Sequence, residues 1–333
     1  MQKARCVVTG GAGFIGSHLT EFLLADGHEV HAVDNLASGR IDNLSAVQND
    51  RRFTFHEIDV SDPVALAETI KSGDWVFHLA ALADIVPSIE RPLDYHHANV
   101  QATATLLEAA RHANVARFVY TASSSCYGIP DTYPTSESAP ARPQYPYALT
   151  KWIGECYALH WAATYRLPVV SLRLFNVYGP RARTSGTYGA VFGVFLAQKL
   201  AGKPLTVVGD GTQTRDFTFV SDVVRAFVEA AASPLSGEVL NVGTGQPESV
   251  NRIVELLDPE AGVVTVPKRP GEPDRTQADI TKVRTKLGWE PRVTLEQGVQ
   301  ALLDNIDYWR AAPVWDAASI GEATETWFKY LSD

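Results

Sequence analysis

A tyrosine and a lysine stand four residues apart in the stretch Gln144-Tyr145-Pro146-Tyr147-Ala148-Leu149-Thr150-Lys151. On a helix that step places both side chains on one face. An ammonium beside a phenol favours the phenolate, which turns a weak acid into a base usable near neutral pH. A free tyrosine titrates at ~10, so neutrality asks for roughly 4 kcal/mol of differential stabilisation of the phenolate. Alone, the pair is ordinary: such a step usually gives a solvated contact or a lysine stem lying on a ring. Tyr145 is set aside, because its neighbour at the fourth position is Leu149.

What the pair can do depends on what lies upstream. Residues Thr9–Gly16 read TGGAGFIG, after one apolar run and before a helical pattern. Gly10, Gly13 and Gly16 let the chain turn tightly, approach a pyrophosphate and pack a helix closely on a strand. Phe14 and Ile15 open that helix, whose free N–H groups and partial positive charge favour phosphate. Asp34, followed by Asn35, ends the second apolar run 18 residues after Gly16. A carboxylate there accepts hydrogen bonds from both adenosine ribose hydroxyls and repels a 2′-phosphate, which favours NAD over NADP; Arg40, close by, leaves NADP open. Asp59 and Val60, after the third run, fall beside the adenine. Leu79, Ala80 and Ala81 end the fourth run with the small residues that a cofactor lying across a sheet edge requires.

These residues need a scaffold. Apolar runs at Arg5–Thr9, Glu29–Val33, Phe53–Ile58, Trp75–Leu79, Phe118–Ala122 and Val169–Leu174 alternate with helical stretches at Phe14–Asp26, Pro63–Lys71, Asp94–Ala113 and Tyr147–Tyr165. That rhythm predicts an α/β fold, a Rossmann-like doubly wound parallel sheet covered on both faces. After about residue 175 the pattern loosens. Loops at Asn176–Gly189 and Pro267–Arg275 separate helical segments at Val191–Ala201, Val220–Ala232, Val250–Leu257 and Leu295–Trp309. Glu238–Val242 reads as a strand returning to the first sheet. The expected division is a dinucleotide-binding domain over residues 1–175 and a smaller mixed lobe over 176–333, interleaved with it. The aromatic-containing tail, Pro313–Asp333, is expected to dock as a helix.

Composition narrows the partners. The chain has 333 residues, 45% hydrophobic and 20% charged, with a net charge of −9. That balance is globular and argues against nucleic acid or an anionic membrane as the main partner. No apolar run is long enough to span a bilayer, and no signal peptide precedes the first strand, so a cytoplasmic location is expected. Cys6, Cys126 and Cys156 are widely spaced and lack metal-ligand spacing. They read as reduced core or near-core thiols, and no metal is expected. A reactive Cys126 lacks a histidine partner nearby.

Read together, TGGAGFIG, HLAA at His78–Ala81, SSSCYG at Ser123–Gly128, YALTK at Tyr147–Lys151, LRLFNVYGP at Leu172–Pro180, RDFTFVSD at Arg215–Asp222 and RPGE at Arg269–Glu272 resemble the extended short-chain dehydrogenase/reductase family. Within it the chain is most similar to nucleotide-sugar epimerases of the UDP-galactose 4-epimerase type. The resemblance implies that Tyr147 takes a proton from a sugar 4-hydroxyl as hydride leaves C4 for the nicotinamide of NAD. It also implies that Lys151 holds the nicotinamide ribose and lowers the Tyr147 pKa, and that Ser123 bonds the reacting oxygen and relays the proton. Asn176, Arg215 and Arg269 would contact the nucleotide diphosphate or its sugar, UDP being the expected nucleotide. Arginine suits a diphosphate because its planar fork binds oxygens in pairs. Surface ion pairs, Arg215–Asp216 among them, are the plain alternative.

Four positions bear on the reaction and the sugar. Related 4,6-dehydratases usually place Asp and Glu where this chain has Ser124 and Ser125, and related decarboxylases usually keep a Glu at the second. Neither hydroxyl is a good general base at neutral pH, so both reactions are disfavoured and C4 epimerisation is expected. A 4-keto reductase or dehydratase on the same scaffold is the alternative; a non-catalytic NAD sensor is the reading from another class. Thr276 falls seven residues after Arg269, where hexose-only relatives tend to carry a bulky tyrosine, so an N-acetylhexosamine has room. Asp84, in the loop after the fourth strand, either faces the pocket and repels a uronate or is a surface acid or helix cap. The helix at Tyr147–Tyr165 carries Trp152, Cys156, Leu159 and Ala163 away from the Tyr147 face. Relatives pair it into a homodimer bundle; burial against the chain's own helices is the other reading.

Overall fold

The computed structural model describes residues 3–182, 191–257 and 259–332. Of the loop expected at Asn176–Gly189, residues 183–189 lie outside these.

Seven strands form one parallel sheet: β1 (Arg5–Thr9), β2 (Glu29–Asp34), β3 (Phe53–Glu57), β4 (Trp75–His78), β5 (Arg117–Ser123), β6 (Val169–Leu174) and β7 (Glu238–Val242). Their order is β3-β2-β1-β4-β5-β6-β7. The direction of winding reverses between β1 and β4, and a crevice outside the carboxyl ends of the strands opens at such a reversal. The strand at Glu238–Val242 pairs parallel to β6, so the chain does return to its first sheet.

Two-residue alternation along the strands feeds two cores. Val8, Phe77, Val119, Val170 and Leu240 face helices α1 (Phe14–Ala25) and α4 (Val220–Ala232), through Leu19, Leu23, Val223 and Phe227. Val7, Val76, Phe118 and Val169 face α2 (Ala102–Ala113) and α3 (Pro146–Tyr165), through Leu106, Leu107, Ala110 and Ala158. Neighbouring residues of one strand thus pack against opposite helix layers, as a parallel sheet buried on both faces requires. A third core, with Phe192, Phe195, Leu205, Ile253, Leu302 and Trp309, fills the C-terminal lobe.

Three expectations need correction. The stretch Asp94–Ala113 is not one regular α-helix, because a π-helical turn over His97–Gln101 precedes α2. Asn99 lies within this wider turn, and its side chain bonds Leu82 and Thr150 (below). The stretch Leu295–Trp309 ends as α-helix at Asp304 and closes in a 3-10 turn over Ile306–Trp309. Asp84 lies in the loop after β4 as expected, but the residues after it do not: Ile85–Glu90 form a short helix with Asp84 at its cap position, making no side-chain cap bond.

The tail forms helix α5 (Ala317–Leu331). Asp316 caps it by accepting from Ser319 N at 2.8 Å while Ser319 Oγ accepts from Asp316 N at 2.9 Å, a reciprocal box that satisfies two orphan donors. Ile320, Thr324 and Trp327, at steps of four and three, form its buried face.

Candidate active site

The glycine turn is built for close approach. Gly10 has φ +69, and a Cβ there would lie 2.7 Å from Ala80 N, so β1 and the end of β4 can meet only around glycine. At Gly16 a Cβ would stand 2.0 Å from Gly10 O, so this glycine lets α1 begin hard against the turn. Gly13 is the cap residue, and Phe14 and Ile15 follow as the first helical residues, half-buried, in the turn whose N–H groups have no intrahelical acceptor.

Asp34 ends β2 and is 7% exposed. Its Oδ2 accepts from Ala12 N at 3.0 Å and its Oδ1 from Leu36 N at 2.8 Å, which fixes the carboxylate at the rim of the glycine turn. Burial nonetheless pushes its pKa up, the two backbone N–H groups opposing this. Asn35 donates to Asp59 Oδ2 at 2.8 Å, tying the ends of β2 and β3, with Val60 buried behind them. Arg40 sits over the Tyr308 ring, 5.9 Å from its centroid. A glycine cradle that a side chain would fill, an open helix N-terminus and a ribose-reading carboxylate suit a dinucleotide.

The end of β4 is wired by one neutral histidine. Burial pushes His78 down to about 3, with the Lys151 charge adding to it. The Thr103 hydroxyl donates to Asn99 O at 2.7 Å, so it accepts from His78 Nε2–H at 2.9 Å. His78 Nδ1 is then left to accept from the Thr9 hydroxyl at 2.8 Å, and Thr9 Oγ1 accepts from Leu79 N and Ala80 N at 3.2 Å. The half-buried Leu79, Ala80 and Ala81 are thereby held across the switch point.

The sequence reading missed Asn99. Its Oδ1 accepts from Leu82 N at 2.8 Å, and its Nδ2 donates to Leu82 O at 3.0 Å and Thr150 Oγ1 at 3.0 Å. It thus joins the segment after β4 to α3, the helix of Tyr147 and Lys151. The sequence offers no clear signal for it, because Asn99 is one of many polar residues in that helical stretch.

At the reacting end, Ser123 ends β5 and the Tyr147 phenol hydrogen-bonds it. Ser123 Oγ accepts from Ser125 N at 3.2 Å and from Ser125 Oγ at 2.8 Å, leaving its own proton for the phenolate oxygen. The order Ser125, Ser123, Tyr147 is therefore a hydroxyl relay. Ser124 follows Ser123 in the same turn, half-buried.

Electrostatics departs from the expectation for the pair. Burial pushes Tyr147 above its ordinary value; the Ser123 bond pulls it down and the Asp84 charge pushes it further up. Burial drives Lys151 down to about 7, opposed by Glu155. In the chain alone, Lys151 is not among the groups that shift Tyr147, so the expected lowering by its ammonium does not appear and desolvation sets the direction. The ammonium lies over the Tyr120 ring, 4.8 Å from its centroid. Asp84 acts electrostatically on Tyr147, which favours the pocket-facing reading over a cap.

Beneath the site lies a buried ion pair. Glu155 Oε1 and Oε2 accept from Arg173 Nε at 3.1 and 3.0 Å, and Ser171 Oγ donates to Oε2 at 2.9 Å. Arg173 also reaches the Tyr127 hydroxyl at 2.9 Å, which donates to Asn241 Oδ1 at 2.7 Å. The network ties α3 to β6 and β7 and makes Tyr127 a structural residue. Glu155→Gln should lower stability by roughly 3–5 kcal/mol, because the guanidinium stays buried without its charge partner. Urea unfolding measures this, and a loss under about 1 kcal/mol would refute it.

Three thiols stay apart from this chemistry. Burial raises Cys126 to about 12, so it is no nucleophile, and Cys6 is equally buried. Cys156 is exposed, not near-core as expected, because it faces outward from α3.

The C-terminal lobe brings up the expected substrate residues. Arg215 NH2 donates to Glu272 Oε1 at 2.7 Å, and Arg269 NH1 stands 3.8 Å from Glu272 Oε2, so both arginines gather around one carboxylate. The Arg215–Asp216 pair raised from sequence is not the arrangement found. Asp216 instead accepts from Thr244 N, Gly245 N and Ala278 N at 2.6, 2.9 and 2.9 Å. The Thr276 hydroxyl donates to Asn176 Oδ1 at 3.0 Å and accepts from Asp216 N at 3.0 Å, locking these segments together.

A dinucleotide cradle meets a serine, a tyrosine and a lysine at the carboxyl edge of one sheet, and these make up the candidate site. Residues 6–243 match the model of the NAD dependent epimerase/dehydratase family, and the chain belongs to that family. It is 41% identical over 305 residues to the UDP-glucose 4-epimerase of Mycolicibacterium smegmatis, covering 89% of this chain and 96% of that one. It is 33% identical over 314 residues to the UDP-N-acetyl-alpha-D-glucosaminuronate decarboxylase of Bacillus cytotoxicus, covering 90% and 96%. Its structure matches DesIV, the dTDP-glucose 4,6-dehydratase of Streptomyces venezuelae, solved with NAD, at a TM-score of 0.84 and 31% identity, covering 92% and 97%. The cofactor is NAD, and the cradle fits it. Among the described residues no helix is long and apolar enough to cross a membrane.

Proposed function

We propose that the chain epimerises a nucleotide-diphosphate sugar at C4 through a transient 4-keto form, with Tyr147 as base, Lys151 as cofactor ligand and Ser123 as relay. The observation that carries this is the hydroxyl relay where β5 ends. Ser123 and Ser125 serve the phenol, and Ser124 and Ser125 offer neither the acid nor the base that water elimination needs. Bound NAD supplies a hydride acceptor that can return what it takes. The chain itself holds the 4-hydroxyl between Tyr147 and Ser123; the Tyr147 phenolate takes its proton and later returns it, with Ser123 and Ser125 donating to the oxygens that carry the charge. A hydroxyl-only relay serves removal and return of one proton equally, as a reversible C4 cycle demands.

Arg215, Arg269 and Asn176 hold the diphosphate end in this reading, and UDP is the favoured nucleotide. Thr276 bonds Asn176 with a side chain far smaller than a tyrosine, which favours acceptance of N-acetylhexosamines. The Asp84 charge near Tyr147 disfavours uronates by like-charge repulsion. Exposed Tyr157 and Tyr165 on the outward side of α3 favour pairing of two copies into a homodimer.

Incubation with UDP-, GDP-, CDP- and dTDP-sugars, followed by chromatography for the C4 epimer, tests the proposal. An epimer should form without added cofactor from protein purified with NAD. A keto sugar that accumulates instead, or a requirement for NADH at every turnover, would replace epimerisation by dehydration or reduction.

A further inference from the structure

The tail helix α5 lies beyond residue 243, where the family match ends, yet it lands on the substrate side of the site. Trp327 is its largest buried residue, 4% exposed. The indole N–H donates to Pro270 O at 2.7 Å, which pins the ring to the Arg269–Glu272 segment. The Arg269 guanidinium lies over that ring, 5.4 Å from its centroid. On the other side the Trp327 and Tyr145 rings stand 6.2 Å apart, and Tyr145 lies nearly parallel to Tyr147, at 8° and 6.4 Å. A continuous row thus runs from Tyr147 through Tyr145 and Trp327 to Arg269 and Glu272.

Other contacts hold the helix there. Thr326 Oγ1 donates to Glu90 Oε1 at 3.2 Å, joining α5 to the short helix that Asp84 precedes. An apolar crevice lined by Val266, Pro267, Ile320, Thr324 and Phe328 continues beside Arg269. An aromatic face attracts a guanidinium, so a ring beneath it fixes the plane of the fork.

We infer that Trp327 is a positioning residue for substrate binding: it holds the Arg269 guanidinium, from the tail helix, in the orientation that receives the diphosphate. The inference rests on the nucleotide-diphosphate-sugar reading above. It accounts for why a tryptophan is capped into place by a tail outside the dinucleotide fold, and why its N–H is spent on the residue next to Arg269.

The test is calorimetric titration of UDP into the NAD-loaded protein, with melting temperature and bound NAD measured on each variant. Trp327→Leu should weaken UDP binding about tenfold, because the ring is lost from beneath the guanidinium. For the preferred sugar its KM should rise by a similar factor, with kcat changing much less. Trp327→Phe keeps a ring but not the bond to Pro270 O, so it should fall between the two and serves if the leucine variant does not fold. In an Arg269→Ala background, Trp327→Leu should add little further loss, because both act through one group. A folded Trp327→Leu protein with wild-type UDP affinity overturns the inference, as does a full additional loss in the Arg269→Ala background. A wild-type chain that binds none of UDP, GDP, CDP and dTDP overturns the nucleotide-sugar reading along with it; one that binds a nucleotide without epimerising sugars removes only the proposed reaction.

Discussion

Tyr147→Phe should reduce turnover by roughly 10²- to 10⁴-fold while leaving bound NAD and UDP affinity close to wild type, because a positioned proton acceptor contributes about that much. The substitution removes one oxygen. The ring keeps its place beside Tyr145, 6.4 Å away, so the fold loses little. What disappears is the end of the hydroxyl relay, where Ser123 meets the phenol. The same geometry predicts a smaller defect for Ser125→Ala, whose hydroxyl donates to Ser123 at 2.8 Å without touching the phenol. Burial raises Tyr147 in the chain alone, so the phenolate forms only when positive charge is added beside it, and turnover should rise with pH through that transition. Full activity in Tyr147→Phe, measured by the conversion of a saturating sugar, would end the mechanism.

Lys151→Met should also abolish turnover, yet it should make the NAD-stripped chain more stable at neutral pH. Lys151 is 4% exposed, and burial lowers its pKa from 10.5 to about 7. The sign follows from proton counting. Below about pH 7 the lysine is charged in both folded and unfolded chains, and its burial costs the folded state in full. Between there and 10.5 the unfolded chain binds more protons, so stability rises with pH until the penalty is gone. Methionine fills similar space without a charge, so its variant should be more stable by a few kcal/mol at low pH and lack the Lys151 part of the slope. Urea unfolding at about pH 6.5 and 9.5 separates the two, since other titrating groups are shared and cancel in the difference. Equal slopes for wild type and variant would show that Lys151 is not a buried charge. The cost it imposes is one that cofactor hydroxyls, accepting from the ammonium, would offset on binding.

Much of the scaffold was legible because it is encoded locally. Two-residue alternation marks the strands, four-residue steps mark the helix faces, and glycine at 10 and 16 marks backbone that nothing larger can occupy. The short apolar segment Glu238–Val242 could be read as a strand, while its pairing beside β6 is a long-range fact of the fold. The π-helical turn at His97–Gln101 could not, and Asn99 within it bonds Leu82 and Thr150, partners 17 and 51 residues away that no local pattern reports.

By itself the sequence determined which side chains exist to do chemistry, and that Tyr147 and Lys151 share a helix face behind a dinucleotide turn. Tertiary structure alone decided what those groups experience. Desolvation belongs to the surroundings, so the directions of Tyr147, Lys151 and His78 follow from packing that no local spacing reports. Partners across long separations were decided the same way. Arg215 takes Glu272 in place of its neighbour Asp216, because Asp216 is claimed by three backbone N–H groups. Periodicity announces that a tail will be helical and which face it buries, but only docking puts Trp327 beneath Arg269, since two surfaces must meet before either side chain has a neighbour.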